Sequence, residues 1–72
     1  MIIIDLTAYR CPYPLVQTKL KLKQLAVGDK MQLQLSDPGS RQDVPAYLKK
    51  TAYPFEIIDD NQQVLTIIVC GI

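Results

Sequence analysis

Cys11 and Cys70 are the two residues of this 72-residue chain with the widest chemistry open to them. Cys11 stands in the run Arg10-Cys11-Pro12-Tyr13-Pro14, where a β-branched segment gives way to a helical pattern. A helix N-terminus carries about half a positive charge, and Arg10 adds a full one beside it. Both favour the thiolate, the form of cysteine that attacks. Pro12 at the first helical position arrives with φ already set, and Pro14 deletes a donor that a first turn leaves orphaned anyway. The same prolines remove N–H groups that would cradle an anion, so moderate activation of the thiol is expected. The plainer alternative stays open, because a single cysteine near a helix start is more often a small buried hydrophobe.

Composition narrows the chemistry. There is no histidine, which removes the commonest acid–base catalyst and metal ligand. Two cysteines cannot by themselves complete a structural zinc site, and no Cys-x-x-Cys pair exists for thioredoxin-type exchange. Ser-His-Asp hydrolysis, zinc enzymology and acyl transfer are therefore excluded, and neither metal nor cofactor is expected. Sulfur exchange survives, since it needs only an accessible thiolate and a partner sulfur. Cys70 closes an apolar strand with nothing basic or helix-initial next to it in sequence, so a structural or incidental role is expected there. Sequence leaves a Cys11–Cys70 disulfide undecided.

The elements that must hold Cys11 follow from the hydrophobic pattern. Ile2 to Leu6 reads as a short strand buried on both faces. From Pro14 to about Ala26, Leu15, Thr18, Leu22 and Leu25 share a helix face, with Val16 and Leu20 forming a second apolar strip that this face does not explain. Lys19 and Lys23 lie one turn apart on a solvated surface, and Gly28-Asp29 is the expected stop. Lys30 to Ser36 alternates strictly, with Met31, Leu33 and Leu35 on one side, which is a strand with one wet face. Asp37 to Ser40 reads as a turn, and Val44, Tyr47, Leu48 and Thr51 mark a second helix. Pro45 belongs in its first turn, placing the N-cap near Asp43 or Val44. Asp37, Arg41 and Asp43 cluster there, with capping preferred to partner contact. Phe55 to Asp59 and Gln63 to Val69 read as a hairpin turning at Asp59–Gln62.

The order β-α-β-α-β-β, with one solvated strand face, implies an α/β (α+β) two-layer sandwich: a four-stranded mixed sheet with two helices on one face. Residues 1–72 read as one domain, expected to expose about 4,500 Å². The formal charge of +1 argues against a dedicated nucleic-acid or membrane-surface binder. No targeting segment or bilayer-length apolar run is apparent, so a soluble cytoplasmic protein is expected. The free edge of the hairpin leaves the oligomeric state open.

Cys11-Pro12-Tyr13-Pro14 resembles the Cys-Pro-x-Pro signature of the TusA/SirA/YedF sulfur-carrier family. The resemblance takes in Asp5, the first helix, Gly28-Asp29, Asp37-Pro38 and Asp43-Val44-Pro45, nearly the whole chain. It implies a sandwich similar to the C-terminal domain of translation initiation factor three. It also implies a persulfide relay on Cys11, loaded by a cysteine desulfurase or another persulfide donor protein and unloaded to a downstream acceptor protein. In one branch of the family the sulfur ends in thiolated tRNA, and other branches serve other sulfur or selenium metabolism. Such a carrier is a sulfurtransferase without independent turnover of a small substrate. Ala8-Tyr9 stand where the family usually has Gly-Leu, placing two tyrosines, Tyr9 and Tyr13, beside the thiol. The alternative is a non-catalytic adaptor or regulatory module of the same fold.

Overall fold

The computed structural model describes residues 2–71; Met1 and Ile72, the two ends of the expected domain, lie outside the described residues. Its elements are β1 (Ile2–Asp5), α1 (Tyr13–Gln24), β2 (Lys30–Leu35), α2 (Pro38–Lys50), β3 (Phe55–Asp60) and β4 (Leu65–Cys70). The sheet order is β1-β2-β4-β3, with β1 parallel to β2 and β4 antiparallel to both of its neighbours. This is the expected mixed sheet with both helices on one side.

The alternation in β2 does what the pattern implied. Met31, Leu33 and Leu35 are fully buried, and they pair in register with Val69, Ile67 and Leu65 of β4. Leu22 of α1 and Val44 and Leu48 of α2 close over these six side chains to form one core. Leu15 and Leu25 pack at its margin, while Thr18 buries its hydroxyl by donating to the Pro14 carbonyl at 2.8 Å. The exposed area is 4534 Å², matching the size scaling for a domain of this length.

One strand's burial and three boundaries differ from the sequence reading, each for a physical reason. β1 is an edge strand and not a strand buried on both faces: Ile3, 63% exposed, shares the uncovered face of the sheet with its partner Gln32, and Ile2, 53% exposed, lies on the strand that only β2 flanks. α1 ends at Gln24, where Leu25 turns extended (ψ 121°), and Gly28 (φ +88°) serves the tight turn into β2 instead of capping the helix. α2 begins two turns earlier than Pro45 suggested. The Asp37 carboxylate caps it by accepting from the Ser40 N–H at 3.0 Å, and Pro38 opens the first turn. Pro45 thus lies inside the helix. An interior proline costs about 3 kcal/mol or more, and here burial of Ser40, Val44 and Leu48 along one face of α2 offsets that loss. The hairpin turns about two residues later than predicted, since Asn61 Oδ1 accepts from the Gln63 and Val64 N–H groups at 2.9 Å.

The end of α2 has a testable imperfection. The Ala52 N–H donates to Lys49 and the Tyr53 N–H donates to Leu48, the paired pattern that closes a helix through a left-handed residue. That residue is Ala52, with φ +62°, where glycine would meet no Cβ penalty. Ala52→Gly is expected to stabilise the protein by about 0.5–1 kcal/mol, after allowing for the greater unfolded-state freedom of glycine. Thermal unfolding should report a midpoint rise of a few degrees; a fall would mean that the turn relaxes without strain.

Candidate functional site

β1 and β2 run parallel, so the β1–α1 and β2–α2 connections leave the same end of the sheet. The N-termini of both helices converge there, the position where open α/β sheets place their sites. Two contacts tie this end together. The Leu6 N–H donates to the Gln34 carbonyl at 2.9 Å, and the Ser36 hydroxyl donates to the Thr7 carbonyl at 2.5 Å. Asp5 shapes the outgoing loop by accepting from the Thr7 N–H and hydroxyl at 3.0 and 2.6 Å.

Cys11 is exposed at this corner, so the buried-hydrophobe alternative does not hold for it. Its N–H donates to Asp37 Oδ2 at 3.1 Å, and its thiol donates to Asp43 Oδ2 at 3.3 Å. Gly39 makes room for this approach: a Cβ there would stand 3.2 Å from Cys11 Cβ and 3.7 Å from the sulfur. The sulfur therefore belongs as much to the start of α2 as to the start of α1. Pro12 occupies the N-cap of α1 after a cis peptide bond, one residue before the helical position expected for it, and Pro14 is buried in the first turn.

The electrostatics differ from the sequence expectation. The Cys11 thiol pKa is raised above its ordinary value, first by the hydrogen bond to Asp43, then by desolvation, then by the negative charges of Asp43 and Asp37. A thiolate would face two full carboxylate charges, against which a partial helix charge thinned by two prolines does not prevail. Sequence reasoning missed Asp43 as a neighbour of the sulfur. The available signal was the Asp37-Arg41-Asp43 cluster, for which capping was preferred. Capping holds for Asp37, whereas Arg41 turns away to pair with Asp60 at 2.7 Å.

Asp37 is held below the usual carboxylate range by the Ser40 and then the Cys11 backbone N–H groups, with smaller help from the Ser40 hydroxyl and the Gly39 N–H. A carboxylate more acidic in the folded than in the unfolded chain stabilises the fold above its unfolded pKa. That contribution is lost as pH falls through the lower, folded value. Denaturant midpoints should accordingly drop on acidification below about pH 4. Asp37→Asn should be less stable at neutral pH and show a shallower acid decline, the remainder coming from Asp5, which Thr7 depresses in the same direction. Parallel wild-type and variant pH curves would exclude Asp37 as an acid-sensitive cap.

Cys70 is half-buried at the other end of β2, paired with Lys30 and lining a shallow groove with Pro54, Phe55, Glu56 and Ile68. A basic residue thus neighbours it across the sheet, although none does in sequence. The length of β2, about 16 Å at strand rise, separates the two thiols, well beyond disulfide reach. Both are free. Among the described residues no three His, Cys, Asp or Glu side chains gather as metal ligands. None of the described helices is long and apolar enough to cross a membrane.

The unexplained apolar strip of α1 continues from this corner. Tyr9 and Tyr13 stack with ring centroids 4.5 Å apart, and Tyr13, Val16 and Leu20 follow along one exposed face of the helix. Lys19, beside it, lies over the Tyr47 ring at 4.9 Å, so this lysine contacts α2 and not only solvent.

An exposed cysteine on a loop–helix corner, flanked by a second helix start, defines a small thiol-presenting α+β domain. The family described as "Sulfurtransferase TusA" matches residues 2–71, and the chain belongs to that family. It is 33% identical over 54 residues to "Putative sulfur carrier protein YrkF" of Bacillus subtilis, covering 75% of this chain and 29% of that longer protein. It is 29% identical over 69 residues to a "Putative sulfur carrier protein" of Archaeoglobus fulgidus, covering 96% and 94% of the two chains. The fold is similar to the crystal structure of a SirA-like protein from Desulfitobacterium hafniense, with a TM-score of 0.82 and 24% identity over 100% of both chains.

Proposed function

We propose that residues 1–72 act as one cytoplasmic sulfur-carrier domain that relays a persulfide on Cys11. The observation that carries this reading is the exposed Cys11 thiol on a proline-stiffened corner of a TusA-family chain. The Cys11 sulfur attacks the outer sulfur of a donor persulfide, the donor's S–S bond breaks, and a new S–S bond forms on Cys11. The donor leaves as thiolate and takes up a proton, while Cys11 gives one up. Sulfane sulfur changes hands with no net oxidation and with no metal or cofactor. The donor is a cysteine desulfurase or another persulfide protein, and the acceptor is a downstream protein, either on a tRNA-thiolation route or in other sulfur trafficking. Direct nucleic-acid binding is not part of this reading. The exposed Tyr9, Tyr13, Val16 and Leu20 side chains supply apolar surface beside the sulfur for successive partners.

The test is incubation with a cysteine desulfurase and cysteine, followed by intact-mass and peptide mass spectrometry. One added sulfur on the peptide bearing Cys11 is expected. Sulfur on the Cys70 peptide alone would refute Cys11 as the carrying residue, and no added sulfur would refute the carrier.

A second reading, a non-catalytic adaptor, draws support from the Cys11 thiol, which keeps its proton and donates it in a hydrogen bond to Asp43. It expects partner binding and cellular phenotype to survive Cys11→Ser, and loss of the phenotype eliminates it.

A further inference from the structure

One residue is bound through both its backbone and its side chain to two carboxylates of α2: the Cys11 N–H to Asp37 and the Cys11 thiol to Asp43. The second of these bonds exists only while the sulfur keeps its proton. A thiol donates to a carboxylate; a thiolate has nothing to donate and is repelled by the same oxygen. The charges acting on the sulfur are those of Asp43 on α2 and Asp37 at its N-cap; Arg10 precedes the cysteine in sequence, and the first turn of α1 brings no acidic residue. Arg41, the basic residue nearest in sequence to Asp43, is committed elsewhere, donating to Asp60 at 2.7 Å and to the Asn61 carbonyl at 2.6 Å. The acidic side of the sulfur therefore lacks the cation that stands closest along the helix.

We propose that Asp43 is a positioning residue that latches the Cys11 thiol in its protonated form in the free carrier, and that a partner opens the latch by bringing a cationic side chain against Asp43. This rests on the reading of Cys11 as the sulfur-bearing residue and adds how that residue is kept idle between partners. The upward displacement of the thiol pKa, caused first by the Asp43 hydrogen bond, agrees with it. An exposed thiolate in a cell reacts with any disulfide or electrophile it meets, whereas a neutral thiol does so far more slowly. When a guanidinium or ammonium group pairs with Asp43, the thiol loses its acceptor and the repulsion falls. Its proton then passes to solvent, and the thiolate attacks the outer sulfur of the donor persulfide. The departing donor thiolate recovers a proton from solvent, so charge and atoms balance.

The experiment measures iodoacetamide alkylation of Cys11 against pH in a Cys70→Ser background, with circular dichroism to confirm folding. Asp43 is exposed, so its replacement leaves the core untouched. Asp43→Asn should raise the rate at about neutral pH by roughly threefold or more and move the profile to lower pH. Asp43→Glu, which keeps the carboxylate, should stay near the parent. Asp43→Lys, which supplies within the chain the charge a partner brings, should exceed the asparagine variant. A purely structural role would not order the variants by charge. An asparagine variant that alkylates no faster than the parent, with an unmoved profile, overturns the latch. Loading by inorganic polysulfide separates the two ideas. An unmoved profile with normal loading overturns the latch and leaves the carrier standing. A shifted profile in a chain that takes up no sulfur upholds the latch and defeats the carrier.

Discussion

Replacing Cys11 by serine is expected to abolish sulfur loading, with at least a hundredfold loss in the rate of persulfide formation while the fold is retained. Serine keeps nearly the same shape and can still donate to Asp43, so the corner should persist. Its hydroxyl is not appreciably ionised near neutral pH and cannot form a stable bond to sulfane sulfur, so the chemistry is removed and little else. Cys11 is exposed and contributes nothing to the buried core, which argues for an unchanged unfolding midpoint. Cys70→Ser is the matched control and should load normally. Two measurements decide it, mass gain after incubation with a persulfide donor and the denaturation midpoint. Undiminished loading of the Cys11→Ser protein would move the carrier role to Cys70 or remove it altogether.

Truncation of Leu33 should produce the largest loss of stability. Leu33 is fully buried at the centre of β2, paired laterally with Ile4 of β1 and Ile67 of β4. Leu33→Ala removes the transfer energy of the lost atoms and leaves a cavity, together about 3 kcal/mol and as much as 5. A chain of this length has about 4–11 kcal/mol of total stability, so the variant stands at the edge of folding. Urea unfolding should show a greatly lowered midpoint with an unchanged slope. Val16→Ala, on the exposed strip of α1, should alter stability by no more than about 0.5 kcal/mol. Equal effects of the two substitutions would contradict the placement of the core.

β2 was legible because its alternation is strict and one of its faces is wet, and that single element implied two layers and a one-sided helix cover. β1 misled because a continuously apolar run reads the same whether both faces of the sheet are covered or only one, and Ile3 points to the uncovered face with Gln32. The strand order, which places Ile2 and Ile3 at an edge, is not a local property. Pro45 misled for a related reason: a helix cap worth having and a buried face can carry a helix through a proline that local propensity would place at its start.

The amino-acid order by itself determined the six elements and the two-layer plan and singled out Cys11 as the candidate for chemistry, since periodicity, proline placement and the Cys-Pro-x-Pro run are all local. Tertiary structure alone decided what surrounds the sulfur. Parallel pairing of β1 with β2 brings two helix starts to one end of the sheet, and Asp37, Gly39 and Asp43 reach Cys11 across 26 to 32 residues of chain. Local reasoning counted the positive charges next to the cysteine in sequence. Electrostatic interaction falls with distance through space, and the full charges that act on the sulfur there, Asp43 and Asp37, are negative.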